Sequence, residues 1–339
     1  MAVTIKDVAR RAGVAHTTVS RALRGNPIIS TETTERIRKI ASEMGYQPSA
    51  AARSLKTNRS QVLGVIVSSI DDPFFSEILQ GIDDIAQQSD YSLFIASSQR
   101  DLDREKAIVR TMREHRVDGV ILCSTPFSSE QSHQLQNFEI PIVVINNQSA
   151  EDYRYSIYHD DLDGSMQVMQ YLINLGHERI AYLGFPHSGR TNLNRQKGYQ
   201  EQMQAADLPI LDGYEFEARA SDMENGRIAA QHFVSLNQPP TALFCYNDLL
   251  AIGVMCGLQA YGLRIPEDIS VAGFDNISPS AFTIPPLTTF DQPKRFIGVK
   301  AARLVLGLLN ENENEINDPK VQLLQGSLLI RNSTAKYME

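Results

Sequence analysis

Several short stretches place oxygen-rich or cationic side chains where a strand gives way to a helix. Asp71-Asp72-Pro73-Phe74-Phe75 follows the apolar run Val62–Val67. Asn146 and Asn147 end the run Ile142–Ile145, Tyr246-Asn247-Asp248 ends Ala242–Cys245, and Phe274-Asp275-Asn276 follows the apolar residues 269–273. Arg195 stands a few residues beyond Gly189 at the start of a helical segment. In open α/β sheets, ligands bind outside the carboxyl ends of the strands. Carboxylates, amides and a guanidinium converging there offer paired hydrogen bonds to vicinal hydroxyls. A Phe pair beside acids suits a sugar ring, apolar on its face and hydroxyl-rich at its edge. Taken singly, the same residues serve as helix starts, with Pro in the first turn and Asp before it. The candidate ligand-binding set is Asp72, Phe74, Phe75, Asn146, Arg195, Asn247 and Asp275.

A second chemistry lies in residues 4–24. Ile5, Val8, Ala9 and Ala12 recur at i, i+3, i+4 and i+7, the stripe of a short amphipathic helix. Thr4 stands at its N-cap with Asp7 in capping-box position, and Gly13 suits the left-handed residue beyond its end. Val19, Ala22 and Leu23 give a second stripe after a tight turn, so the pair forms a helix-turn-helix. The second helix leaves His16, Thr17, Ser20, Arg21 and Arg24 off its apolar face, free to enter a DNA groove. Thr4, Thr18 and Asn26 complete the candidate contacts of this module. A third helix, capped by Ser30, lined by Ile37, Ile40, Ala41 and Met44 and stopped by Gly45, closes a mini-core.

Charge is divided in the same way. The chain of 339 residues carries a net −8, yet residues 1–60 hold eleven Lys/Arg against four Asp/Glu, a net of +7 that leaves −15 for the rest. A basic module on an acidic body fits a DNA reader that does not bind nucleic acid everywhere. Length allows two or three domains. No apolar run approaches the roughly 20 residues of a membrane span, and no h-region follows the N-terminus. Cys123, Cys245 and Cys256 are odd in number and form no CxxC pair. They read as buried thiols in a reducing compartment, which places the chain in the cytoplasm.

Catalysis finds no support in the motifs. There is no G-x-S-x-G, no Walker loop and no G-x-G-x-x-G, and the seven His lack metal-ligand spacing. His177 reads as a packing or capping residue, and His115 and His133 as surface residues. Neither a catalytic residue, a metal nor a cofactor is expected.

From Gln61 onward strand and helix patterns alternate. Residues 62–67, 93–96, 120–122 and 142–145 read as buried strands, with Phe75, Ile78, Leu79, Ile82 and Ala86 on an intervening helix. The cycle restarts beyond Asp160, with strands at 180–183, 242–245 and 269–273 and a last strand at 328–330. Residues 301–309 read as a C-terminal helix and 311–317 as a polar surface loop. Two βα series argue two doubly wound lobes with a cleft between them. The nine residues after the last strand carry no leucine heptads, so no tetramerising coiled coil is expected.

Thr-Ile-Lys-Asp-Val-Ala, Thr-Val-Ser-Arg, Gly-Tyr-Gln-Pro and Ala-Ala-Arg-Ser-Leu-Lys resemble the LacI/GalR family of bacterial transcription regulators, over essentially the full chain. The resemblance implies a small all-α helix-turn-helix headpiece (1–48), a hinge helix (49–59) and a periplasmic-binding-protein-like α/β core (60–339). In that core two parallel-sheet lobes exchange the chain near residues 160, 290 and 320. Lobe one then takes 60–159 and 291–320, and lobe two takes 160–290 and 321–335. Residues 50–56 are too short to persist as an isolated helix, and the resemblance implies that they fold on DNA. Leu55 then wedges the minor groove, and Arg53 and Lys56 flank it near phosphates. By the same match, Phe74, Asn146, Arg195, Asn247 and Asp275 fall where the family contacts its effector.

Two positions depart from the family pattern. Ala15 stands where Ser or Thr is usual at the N-cap of the recognition helix, a loss typically of ~1 kcal/mol. Ser221 stands near the position of an aromatic that stacks on sugars, which puts the sandwiching of a pyranose in doubt. A small or phosphorylated sugar, a nucleoside or a purine stays open. The expected partners are double-stranded, pseudo-palindromic operator DNA, a small-molecule effector taken to be a sugar, and a second copy in a homodimer, with no membrane. The expected function is effector-controlled repression of carbohydrate-utilisation genes. Its rivals are the same architecture sensing a nucleoside or purine, a stand-alone sugar-binding receptor, and a nucleotide-dependent enzyme on a Rossmann-like sheet.

Overall fold

The computed structural model describes residues 3–23, 25–46, 59–123, 140–146, 155–310 and 321–338. The chain divides into two compact units, Met1–Gln61 and Val62–Glu339. In the first, helices α1 (Ile5–Ala12), α2 (His16–Leu23) and α3 (Thr31–Glu43) enclose a small core of Val8, Ala9, Ala12, Val19, Ala22, Ile37 and Ala41. Local chemistry sets their ends. Thr4 and Asp7 form the box at the start of α1, Gly13 takes the left-handed φ of 66° past its end, and Ser30 Oγ accepts from Thr33 N–H at the start of α3.

The second unit is built on two six-stranded sheets. Lobe one holds β1 (Val62–Val67), β2 (Ser92–Ser97), β3 (Gly119–Cys123), β4 (Ile142–Ile145) and β5 (Ser156–His159). Its helices are α4 (Phe74–Gln88) and α5 (Leu102–Glu114). Lobe two holds α6 (Asp161–Asn174), β6 (Ile180–Gly184), α7 (Arg190–Ala205), β7 (Glu215–Glu217), α8 (Met223–Val234), β8 (Ala242–Cys245), α9 (Asp248–Ala260), β9 (Ser270–Asp275) and β10 (Thr288–Asp291). The chain returns through α10 (Lys294–Leu309) and β11 (Val321–Leu324), and ends on β12 (Ser327–Leu329). Strand orders are β11-β5-β4-β3-β1-β2 and β12-β10-β9-β8-β6-β7. Every pairing is parallel except that of β12 with β10. Central strands such as Val-Ile-Leu in β3 and Ala-Leu-Phe-Cys in β8 are buried throughout, because helices cover both faces of a parallel sheet.

Several sequence expectations need correction. β2 is an edge strand rather than a buried one, and Phe94 and Ile95 are exposed on it. Its apolar run could not reveal that it closes the six-stranded sheet on that side, with no further strand beyond it among the described residues. The third crossing falls at residues 325–326, not near 320, because residues 321–324 pair in register with Ser156–His159 in lobe one. Strands β5, β7 and β10 carry too many polar residues to be read as buried runs. Cys123 and Cys245 are buried, but Cys256 is exposed on α9. The hinge residues 50–56, with Arg53, Leu55 and Lys56, as well as Arg24, His133, Asn147 and the loop 311–317, lie outside the described residues.

α4 and α10 approach so closely that side chains are excluded from the seam. A Cβ on Gly298 would stand 2.1 Å from Ile78 O, and one on Gly81 would stand 2.1 Å from Arg295 O. Backbone on the far side cannot swing away as a side chain does. Gly298→Ala is therefore expected to lower core stability by about 1–3 kcal/mol, the usual range for overpacking, measured by urea unfolding of the whole chain.

Candidate functional site

On the headpiece, α2 presents His16, Thr17 and Arg21 to solvent, with Thr18 and Ser20 half-buried beside them. Two other candidates are engaged in local structure. Thr4 donates to Asp7 Oδ2 from both Oγ1 (2.6 Å) and its backbone N–H (3.0 Å), and Asn26 Oδ1 accepts from Ile28 N–H at 3.0 Å. A polar face on a helix opposite its buried stripe (Val19 and Ala22) is the geometry that lets side chains enter a major groove.

In the core, the two sheets turn their carboxyl ends toward a cleft between the lobes. Its mouth is a cavity of about 250 Å³ lined from lobe one by Ser68, Ser69, Asp71, Asp72, Gln99 and Arg100, and from lobe two by Ala220, Ser221, Asp222 and Leu249. Of the expected ligand-binding residues only Asp72 lines this cavity. Asp72 Oδ1 accepts from Phe74 N–H at 3.0 Å as α4 begins, and burial pushes its carboxyl above the usual range. Arg100 was not foreseen, because Gln99-Arg100-Asp101 reads as an ordinary polar loop. Both Gln99 and Arg100 take left-handed φ, 53° and 59°. Arg100 reaches from lobe one to lobe two, donating to Ser221 Oγ at 3.1 Å with its guanidinium 4.7 Å from the centre of the Phe185 ring. The position that lacks an aromatic is thus bridged by an arginine.

Deeper in, Arg195 is the hub. Its Nε donates to Asp161 Oδ1 at 2.7 Å, Nη1 donates to Tyr246 O, and Nη2 lies 3.4 Å from Asp275 Oδ1. The guanidinium also stacks over Phe274 at 3.8 Å and Tyr246 at 4.7 Å. Burial would lower its pKa, but Asp161 and Asp275 raise it overall, so the charge is fixed. Burial likewise works to raise Asp161, yet Arg195 and His159 hold it below the ordinary carboxylate range. Asp275 goes the other way. Burial lifts it well above that range despite Arg195, and it accepts a hydrogen bond from Gln292 Nε2. Lys294 Nζ supports this corner by donating to Asp275 O at 2.6 Å and Asn276 O at 3.0 Å, which holds the left-handed backbone of Asp275 (φ 111°) and Asn276 (φ 50°).

The remaining candidates take structural positions. Asn247 caps α9, accepting from Leu250 N–H at 3.0 Å. Phe74 and Phe75 are buried edge to face, 5.2 Å between ring centres. Asn146 ends β4 with φ 61°, and its buried Oδ1 accepts no hydrogen bond from the described residues. His177 is buried in lobe two against Thr241, Ser270 and Ala335 O.

Beneath the site, Asp248 accepts from Thr289 Oγ1 at 2.6 Å and Ile277 N–H at 2.9 Å, and burial raises its pKa to about 7. A carboxyl whose folded pKa is raised adds stability that is complete below its unfolded pKa of 3.8 and is lost as pH rises through about 7. The unfolding midpoint of the core should therefore fall as pH rises from about 4 to about 7 and level off above that. Asp248→Asn should flatten that slope. A slope of equal size in the variant would assign the dependence to other groups.

Comparison with known proteins adds to this geometry. The family model described as periplasmic binding proteins and sugar binding domain of LacI family matches residues 60–332, and that of bacterial regulatory proteins, lacI family, matches residues 4–49. The chain is 33% identical to the HTH-type transcriptional repressor PurR of Vibrio campbellii over 334 residues, 98% of this chain and 99% of that protein. It is also 33% identical to PurR of Aliivibrio fischeri, covering 99% of each. Among solved structures, the Lac repressor dimer bound to operator and the anti-inducer ONPF superposes with a TM-score of 0.88 at 28% identity, covering 99% of this chain and all of that one. A transcriptional regulator CelR–cellobiose complex gives 0.73 at 25% identity, covering 98% and 99%. With a helix-turn-helix headpiece, a two-lobed α/β core and family models spanning nearly all its length, the chain belongs to the LacI family of bacterial transcription regulators.

Proposed function

We propose that this regulator is a repressor whose operator affinity is set by a purine-class effector, a base or its nucleoside, held between the core lobes. Full-length similarity to purine repressors carries this choice. The buried Asp275 carboxyl and Asn146 Oδ1 support it as polar groups that ligand N–H or O–H groups could meet. Asp72, Asn146 and Asp275 touch the effector, while Arg195 holds Asp275 and Asp161 in place. Phe74, Phe75 and Asn247 shape the wall. On the DNA side, His16, Thr17 and Arg21 read bases, and Thr4, Thr18, Ser20 and Asn26 set the headpiece on the backbone.

A second reading, a sugar effector, is favoured by the family model for the core, whose description names sugar binding. A thermal-shift panel separates the two. Stabilisation by guanine, hypoxanthine or inosine, by roughly 2.7 kcal/mol at 100 times the dissociation constant, supports the purine reading. A shift with hexoses alone replaces it by the second.

We also propose a homodimer that meets a pseudo-palindromic site. Large apolar side chains lie exposed on both lobes: Ile70 (70%), Phe94 and Ile95 on lobe one, and Tyr261, Phe282 (82%) and Ile284 (85%) on lobe two. A second copy packed against such side chains would cover them. A sedimenting species of twice 37.8 kDa is expected.

A further inference from the structure

Lys294 is the first residue of α10 and is buried, 1% exposed. Helix chemistry does not call for a lysine there. The first turn of a helix presents the positive end of the backbone dipole, which opposes a cation, and lysine is almost never fully buried unless paired. Its partners come from both lobes. In lobe two, Nζ donates to Asp275 O at 2.6 Å and Asn276 O at 3.0 Å where β9 ends, and lies 3.4 Å from Asp291 Oδ1 at the end of β10. In lobe one, it lies 3.4 Å from Glu77 Oε1 on α4.

Each side of this contact is anchored in its own lobe. Glu77 and Gly81 are one turn apart on α4, and Lys294 and Gly298 one turn apart on α10. The two glycines let the helix backbones meet with no side chain between them, and Arg295 adds a pair with Asp84 at 2.7 Å. On the other side, Asn276 Nδ2 donates to Asp291 Oδ1 at 2.9 Å, and Arg331 Nη2 donates to Asn276 Oδ1 at 2.6 Å. The ammonium therefore joins a braced helix pair to a braced strand corner. Arg195 does not do this, since Asp161, Tyr246 and Asp275 all lie in lobe two. Arg100 does cross between the lobes, but at the mouth of the cleft, where it is only half-buried.

We infer that Lys294 is a positioning residue that clamps lobe two to the α4–α10 pair and so sets the resting arrangement of the lobes in the ligand-free regulator. This rests on the reading that the state of the core governs operator affinity. No ligand atom has to touch Lys294 for it to act. Domain rearrangements turn on a few residues at the crossings between rigid parts. Three N–H groups on one flexible stem can follow carbonyls and carboxylates that face different ways. An apolar side chain of the same length leaves Asp275 O, Asn276 O and Glu77 without their common partner. Its introduction shifts the population of lobe arrangements before any ligand is added.

Fluorescence anisotropy of the full-length, ligand-free protein tests this, on a pseudo-palindromic operator selected from random DNA and on random DNA itself. Lys294→Met, which keeps the length of the side chain and removes the charge, should change the ratio of the two affinities at least fivefold. Unfolding alone lowers the active fraction on both DNAs equally and leaves that ratio where it was. Lys294→Arg, which keeps a cation, should bring the ratio back toward the parent value. Glu77→Gln, at a half-exposed position, should move it at least twofold. An unchanged ratio in Lys294→Met, or in Glu77→Gln where the first variant does not fold, would overturn the clamp. Titration of the parent with hypoxanthine and inosine keeps the two readings apart. A parent that responds, beside a Lys294→Met ratio that does not move, overturns the clamp and leaves the effector reading standing. A moved ratio beside a parent that responds to neither ligand upholds the clamp and overturns the purine reading.

Discussion

Replacing Arg195 by Ala is expected to destabilise the core by ~3–5 kcal/mol, the penalty for removing one member of a buried ion cluster and leaving its partners charged or unpaired. Asp161 and Asp275 both depend on this guanidinium, and its stack over Phe274 and Tyr246 is lost as well. Urea unfolding should show a lower midpoint with an unchanged slope. Arg195→Lys should restore only part of the stability, because a point charge cannot serve Asp161, Asp275 and the Tyr246 carbonyl together. A variant as stable as the parent, defective only in effector binding, would instead make Arg195 a direct ligand contact.

Arg21→Ala should weaken binding to the specific operator by ~1–3 kcal/mol and relax the preference at one base pair in each half-site. Arg21 is exposed on α2, away from the buried Val19 and Ala22, so the headpiece should fold normally without it. Competition between operator and random DNA at fixed salt gives the answer. Equal loss on both would assign Arg21 to phosphate, and the salt slope would then fall by about one.

Much of the architecture was legible because parallel strands buried on both faces must be apolar along their length. β1, β3, β4 and β8 announced themselves in this way, as did the headpiece helices through their caps and stripes. Strand β5, Ser-Ile-Tyr-His, and strand β10, Thr-Thr-Phe-Asp, were not legible, since their buried hydroxyls are satisfied by tertiary hydrogen bonds such as Thr289 to Asp248 and Thr288 to Thr334. β11 was missed for a related reason. It lies at the sheet edge, with the polar Gln322 buried and Leu323 exposed, so it shows no buried apolar run.

The candidate site was legible as a set of strand ends but not as a network. Sequence spacing marks where Asp275 and Arg195 sit, yet nothing local indicates that Asp161 lies between His159 and Arg195, or that Gln292 reaches Asp275. Such pairs form only when two crossings and three strand ends meet. Arg100 was hidden similarly, its role depending on an unusual pair of left-handed residues and on Ser221 across the cleft.

The central claim is that one ligand, bound in the core, changes the affinity of a separate headpiece for DNA. A ligand shifts such an equilibrium only by its differential affinity for the two states. The direct measurement is fluorescence anisotropy of the full-length protein on a pseudo-palindromic operator selected from random DNA, titrated with and without the stabilising effector. Operator affinity is predicted to change at least tenfold with effector. Asp275→Ala should raise the effector concentration needed for that change by about 5–150-fold, through a loss on the order of 1–3 kcal/mol in effector binding, and leave ligand-free operator affinity intact. An operator affinity that is the same with saturating effector as without it would contradict the account.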